Sequence, residues 1–226
     1  VPASNNFMST PNTPLARRLV KSIHGEVLFD SYSRGRYSTD ASIFQIQPRG
    51  VVIPSSEDDL RAAIEVANEF NVPLLARGAG TSQCGQAVGD ALIIDFTKSL
   101  NKILKFNPDS KTIVVEPGIV LDQLNSFLRP HGLWFPVDVS TAAQATIGGM
   151  TGNNSCGARS IRYGNMVHNV KGITAFLADG EKVVFGGHSP PTNSLRERTL
   201  IESLTNIGQQ TQLDTDAHWP KLLRQL

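Results

Sequence analysis

The chain has 226 residues, a net charge of +1, 40% hydrophobic residues and 18% charged residues. That balance suits a globular protein of one large or two small domains, and it carries no electrostatic footprint for nucleic acid or an anionic membrane. No run nears the roughly 18 apolar residues of a membrane span, and the polar start VPASNNFMSTPNTP lacks the basic-then-apolar order of a signal peptide. Two cysteines, Cys84 and Cys156, make no disulfide framework, so a reducing cytoplasm is the expected compartment.

In chain order, residues 1–13 read as a flexible lead. Leu15, Leu19, Val20 and Ile23 have the spacing of an amphipathic helix closed by Gly25. FDSYSRGRYSTDAS has no clear period. Val51–Ile53 is a strand candidate. Ser56, followed by Glu57, Asp58 and Asp59, is a helix start, a capping hydroxyl with acids on the positive end of the dipole. Leu60, Ala63, Ile64, Ala67 and Phe70 share one face of that helix. Pro73–Ala76 and Ala91–Asp95 are further strands, with RGAGTSQCG (77–85) between them. A strand–helix–strand unit of this length predicts parallel pairing with a right-handed crossover. Lys102–Phe106 and Thr112–Glu116 flank NPDSK as a hairpin, and Val120–Leu128 is helical. Residues 136–165 are rich in Gly, Asn, Ser and Thr without a dominant period, the kind of long loop that carries function. Val170–Ala178 and Lys182–Phe185 form a hairpin across Asp179-Gly180. Leu195–Ile207 and 214–226 are two terminal helices, and HWPKLLRQL reads as a helix cut short, so the chain is expected to be part of a longer protein.

The loop at 77–85 is too bare to pack a core. Successive N–H groups in such a turn form an anion nest, and Thr81 and Ser82 add hydroxyls. A triphosphate loop needs Lys where Gln86 stands. A Rossmann fingerprint needs Gly where Gln83 stands and a helix where a strand follows. A ligand-free glycine turn stays open on this loop alone. A second cluster, ATIGGMTGNNSCG (145–157), suggests two backbone-rich cradles for a ligand with a long polar spine, such as a dinucleotide.

Taken in order, PLLARGAGTSQCGQAVGDALIIDFTKSLNKIL (73–104), VVEPGIVLDQLNSFLRPHGLWFPVD (114–138), ATIGGMTGNNSCG, RYGN (162–165) and GITAFLADGEKV (172–183) resemble the FAD-binding domain of vanillyl-alcohol-oxidase-like, PCMH-type flavoproteins. The group they resemble within it is D-lactate dehydrogenase and the glycolate oxidase flavoprotein subunit. RYSTDASIFQIQPRGVVIPSSEDDL (36–60) matches the usual lead into that domain. The resemblance implies an α+β fold, with a small parallel α/β subdomain (about 44–101) and a larger antiparallel-sheet subdomain with flanking helices (102–190). A lead (1–43) precedes them and helices (191–226) follow, running toward an apparently absent substrate or cap domain. It implies that Arg77, Gly78, Ala79, Gly80, Thr81, Ser82, Gly85 and Gln86 hold the FAD diphosphate. Pro136, Ala145, Thr146, Gly148, Gly149, Asn153, Ser155, Gly157 and Ile173 are expected to line the rest. Some relatives tether FAD through a His where Thr81 stands, or through a Cys in the stretch that here reads Ser140–Ala143, so non-covalent FAD is expected.

In such proteins the flavin performs the redox step. The resemblance implies oxidation of a D-2-hydroxy acid by hydride transfer to flavin N5, with electrons passing to an acceptor such as an iron–sulfur segment or a quinone chain. It also allows a place peripheral to the inner face of a membrane. No H-x-H metal pair occurs, the histidines at 24, 131, 168, 188 and 218 are scattered, and no metal site is expected. Catalytic residues are not identified. Arg34, Arg36 and Tyr37 read as solvated loop, or with Arg36 or Tyr37 facing the flavin. Tyr163 packs near the flavin or serves as a structural tyrosine, and Trp134 and Phe135 are core or interface aromatics. Two alternatives stay open: a degenerate or cofactor-poor flavin fold used as an interaction module, and another PCMH-type oxidoreductase, including one acting on cell-wall UDP-sugar precursors.

Overall fold

The computed structural model describes residues 13–186 and 195–218. These divide into two units, residues 13–171 with 176–182, and residues 172–175 with 183–218.

The first unit opens with α1 (Pro14–Ser22). Thr13 caps it by accepting from the Ala16 N–H at 3.2 Å, and Pro14 occupies a position whose N–H needs no partner. Leu15, Ala16, Leu19 and Ile23 are buried, but Val20 is 49% exposed. One residue beyond Leu19 turns about 100° around the helix, so Val20 leaves the apolar stripe. An edge strand, β1 (Glu26–Leu28), and a short helix, α2 (Ser31–Arg36), lie in the segment that shows no period. Then follow β2 (Gly50–Ile53), α3 (Glu57–Glu69), β3 (Leu74–Arg77) and β4 (Leu92–Asp95). Ser56 caps α3 as its sequence predicts, accepting from the Asp59 N–H at 3.2 Å.

The sheet order is β1-β2-β4-β3, with β2, β4 and β3 parallel and β1 antiparallel on the β2 edge. The strand–helix–strand unit therefore does not pair its own strands, because β4 inserts between β2 and β3. Its residues Leu92–Asp95 are buried throughout, which suits the position with a strand on either side. Residues 78–91, the glycine loop included, become the connection between two adjacent parallel strands, a place a helix usually occupies. Val52, Leu92 and Ile94 pack on one face with α1 and α3, and Val51, Ile53, Ile93 and Tyr37 pack on the other.

Asp59 is a buried polar residue in this half, with its carboxylate accepting from the N–H groups of His24, Gly25 and Ser55 at 2.8–2.9 Å and from the Ser55 hydroxyl. Burial alone raises its pKa, but these hydrogen bonds outweigh burial and hold it at about 2.

A second core follows. The hairpin β5 (Ile103–Asn107) and β6 (Thr112–Val115) pairs antiparallel across the sequence-predicted turn. α4 (Leu121–Leu128) buries Leu121, Leu124 and Leu128 beneath it. The polar stretch 136–165 is not a continuous loop. It contains α5 (Ile147–Gly152) and α6 (Ser160–Tyr163), and α7 (Met166–Asn169) comes next. Val137, Ala145, Ile147, Met150 and Met166 join α4 in this core.

The strands β7 (Gly172–Phe176) and β8 (Lys182–Gly186) form the predicted hairpin, with Gly180 at a φ of +89° in the Asp-Gly turn. Its tip belongs to the first unit. There Asn68 donates to the Ala178 carbonyl at 2.8 Å, and Lys182 pairs with Glu57. The second unit consists of the rest of β7 and β8 together with α8 (Leu195–His218). α8 runs unbroken through the gap placed between two terminal helices, because Gly208 weakens a helix without ending one. Residues 1–12 and 219–226 of the predicted lead and last helix lie outside the described residues.

Candidate cofactor site

The connection from β3 to β4 starts with Arg77, at the carboxyl end of its strand, and the Gly78–Ser82 loop follows at once. Among the described residues, none of the backbone N–H groups of residues 79–83 donates to another protein group, and the Thr81 and Ser82 hydroxyls are equally uncommitted. All five residues are exposed or half-buried. Gly80 has a φ of +69°, a left-handed conformation that glycine adopts without penalty. Its carbonyl turns the other way and accepts from the Ala41 N–H at 3.1 Å. A run of unpaired amides and two free hydroxyls in a turn suits a diphosphate.

Behind the loop lies the Arg77 guanidinium, 8% exposed. It donates to three backbone carbonyls, those of Thr39 at 2.7 Å, Ala87 at 2.8 Å and Tyr37 at 3.2 Å. The Arg77 side chain is thus committed to protein groups. Burial pulls its pKa down from the ordinary value, and the charges of Asp40 and Asp95 oppose that pull. Asp40 accepts from the Ser42 N–H at 2.8 Å and the Ala87 N–H at 3.4 Å. The segment 38–46 folds back on itself through the Thr39–Gln45 bridge and lays the Phe44 ring beside Gly85.

The second cluster meets the first at two points. The space a side chain on Gly78 would need is filled by the Thr146 hydroxyl, and Gln86 Nε2 donates to Asn153 Oδ1 at 3.1 Å. Its amides, however, are largely committed. Ile147 donates to Ile119 O at 2.9 Å, Gly148 to Pro117 O at 2.8 Å, and Gly149 to the Thr146 hydroxyl that caps α5 at 3.3 Å. Gly148 lies against Pro117, whose Cβ is 2.5 Å from where a Gly148 Cβ would sit, and Gly157 lies against Asp138. Gly152 faces open space. The expectation of two like cradles is thereby refined, because the exposed unpaired amides belong to the first cluster while Gly148 and Gly157 of the second allow close packing.

The remaining candidates are more dispersed. Ser155 accepts from Asn153 Nδ2 at 3.1 Å, at the end of α5. Ala145 is buried, and its N–H donates to Thr141 O at 2.7 Å. Pro136 is half-buried beside the core residue Val137. Ile173 lies on β7 in the second unit, 40% exposed.

Tyr37 is not solvated loop. It is 9% exposed, and its hydroxyl donates to Asp95 Oδ2 at 2.7 Å. Burial first, then that hydrogen bond and the Asp95 charge, raise the phenol well above its ordinary pKa. Arg36 is exposed. Tyr163 stacks edge-on against Trp134 at 5.4 Å, and the Arg159 guanidinium lies over that indole at 5.2 Å. Of the histidines, His24 lies 3.5 Å from Asp59, His131 stacks on Phe106 at 4.7 Å, and His168 accepts from the Asn165 N–H at 3.1 Å. His188 lies outside the described residues. Cys84 and Cys156 are free thiols, both exposed. What the sequence reading missed is the segment 37–42 and Ala87, whose part is played through backbone carbonyls and one carboxylate. The signal for residues 37–42 was their place just before the domain, and Ala87 lay within the motif 73–104 without a role of its own.

A parallel sheet with a row of unpaired amides in its crossover, joined to a second core where Gly78 packs on Thr146, is an arrangement that suits a nucleotide cofactor. Residues 48–186 match the family model of the FAD binding domain, and the chain belongs to this family, in its PCMH-type form with FAD as cofactor. It is 35% identical over 201 residues to D-2-hydroxyglutarate dehydrogenase of Escherichia coli, covering 83% of this chain and 19% of that protein. It is 32% identical over 170 residues to glycolate oxidase subunit GlcD of Bacillus subtilis, covering 73% of this chain and 36% of that one. Its fold superposes with a TM-score of 0.64 on the carbohydrate oxidase of Microdochium nivale, at 20% identity over 76% of this chain and 37% of that one. The chain therefore spans a fifth to about a third of the length of these curated relatives. No described helix is long and apolar enough to cross a membrane.

Proposed function

We propose that this chain is the FAD-holding part of a flavin-dependent dehydrogenase or oxidase of D-2-hydroxy acids, of the lactate, glycolate or 2-hydroxyglutarate type. The observation that carries the reading is the row of unpaired amides at residues 79–83, which suits the FAD diphosphate as residues deep in a protein core could not. Gly78, Ala79, Gly80, Thr81, Ser82, Gly85 and Gln86 take the diphosphate through backbone amides and hydroxyls. Thr146, Gly148, Gly149, Asn153, Ser155 and Gly157 build the facing wall, with Pro136 and Ala145 lining the remainder. Bound FAD supplies a two-electron acceptor for the α-hydrogen of a 2-hydroxy acid. The D-2-hydroxyglutarate dehydrogenase and the glycolate oxidase subunit named above carry the names of acids of that class. Substrate contacts, the electron acceptor and catalytic side chains belong to parts of the longer protein beyond these motifs. Two free thiols favour a reducing, cytoplasmic place.

FAD titration of the purified chain, followed by absorbance and flavin fluorescence, tests this reading. Saturable binding at one FAD per chain is expected, and acid precipitation should release the flavin into the supernatant because Thr81 offers no tether. Absence of saturable binding overturns the cofactor assignment. Flavin that stays with the precipitate overturns the non-covalent one. Flavin bleaching by D-2-hydroxyglutarate, D-lactate or glycolate in the full-length protein tests the substrate class.

A further inference from the structure

The commitments of the Arg77 side chain point to a role the glycine loop itself does not perform. Arg77 stands where the loop leaves β3, and through Nη1 it donates to the carbonyl of Ala87, where the loop closes. The same nitrogen reaches Tyr37 O, and Nη2 reaches Thr39 O on the segment lying across the loop. A Cβ added to Gly80 would fall 2.5 Å from Nη2, so the chain is wound directly onto the guanidinium. With the Gly80 carbonyl taken by Ala41 and the Ala87 carbonyl by Arg77, the N–H groups of residues 79–83 stay free. A flat fork with fixed donor directions suits this task, and an ammonium does not reproduce it.

We infer that Arg77 is a positioning residue for the FAD diphosphate, a buried cationic post that shapes the loop from behind and touches protein carbonyls in place of phosphate. The inference rests on the cofactor reading above. It predicts that the residue's loss is felt by any ligand that carries the diphosphate, whether or not it carries a flavin.

The test compares the chain with Arg77→Lys, measuring FAD affinity by fluorescence and ADP affinity by displacement of FAD, with thermal unfolding of each apoprotein alongside. ADP shares the diphosphate and lacks the isoalloxazine. At least a tenfold loss is expected for FAD, with a loss of the same factor for ADP, in protein that is fully folded at the assay temperature. Affinities equal to wild type overturn the inference, as does loss of FAD with ADP affinity retained. A purely architectural arginine lowers the unfolding midpoint and leaves the folded protein's ADP affinity unchanged. If Arg77→Lys does not fold, Arg77→Gln decides, because it keeps a planar donor at this place while removing the cation and the fork. A matched fall in FAD and ADP affinity supports the post, and unchanged affinity overturns it. A wild-type chain that binds no FAD breaks the cofactor reading, a result distinct from any of these.

Discussion

In the crossover between β3 and β4, the amides of residues 79–83 have no protein partner, and a buried arginine holds the opposite side of the loop. In the cluster around α5, equally rich in glycine, the amides of residues 147–149 are tied to Ile119, Pro117 and Thr146. Glycine serves a different physical need in each. At Gly80 it permits a left-handed turn, and at Gly148 and Gly157 it permits one piece of backbone to lie against another. Similar composition therefore conceals one surface that suits a ligand and one that packs the second core against itself.

The contrast breaks most sharply at Gly157. A side chain there meets the carboxylate and the backbone carbonyl of Asp138, the latter yielding only if the chain itself shifts. Gly157→Ala should cost about 1–3 kcal/mol by overpacking, read as a lower unfolding midpoint, the stability loss exceeding the loss of FAD affinity in the folded fraction. An unaltered midpoint would mean the second cluster is not a packing device.

Next in size is the junction of the clusters. Thr146→Ala removes the α5 cap, a loss of about 1 kcal/mol. Gly78→Ala collides with the same hydroxyl. Combined, the two substitutions should be milder than their sum by about 0.5–1 kcal/mol, since the first clears space for the second. Strict additivity in urea unfolding would show that Gly78 and Thr146 do not share that space.

Smaller still are the exposed groups of the crossover. Ser82→Ala should leave stability within about 0.5 kcal/mol while weakening FAD severalfold, the reverse of the Gly157 result. A stability loss without an affinity change would exchange the assigned roles of the clusters. Gln86→Ala removes two exposed hydrogen bonds, the one donated to Asn153 and the one accepted from the Cys84 N–H, and should move the midpoint least of all, by under about 0.5 kcal/mol.

Much of this was written locally. The Ser56 cap and acidic first turn of α3, the buried runs of β2 and β4, the Asp-Gly hairpin and the five ordered motifs are all short-range patterns, and a linear reading finds them. So are the glycine loop and the lack of a His at Thr81. The insertion of β4 between β2 and β3 was not legible, because neither strand's pattern names its neighbour. Nor was the continuity of α8, which runs through the stretch 208–213 that separates the two expected helices.

The sequence by itself determined that two glycine clusters exist in a domain of this family, and which side chains stand in each. Only the tertiary structure decided which cluster keeps its amides free. That depends on carbonyls and carboxylates brought from Tyr37, Thr39, Ala87, Pro117 and Asp138, residues distant in the chain or acting through groups every residue shares. Backbone hydrogen bonds carry no residue signature, so a reading of side-chain types finds the loop and leaves open which of its faces is free.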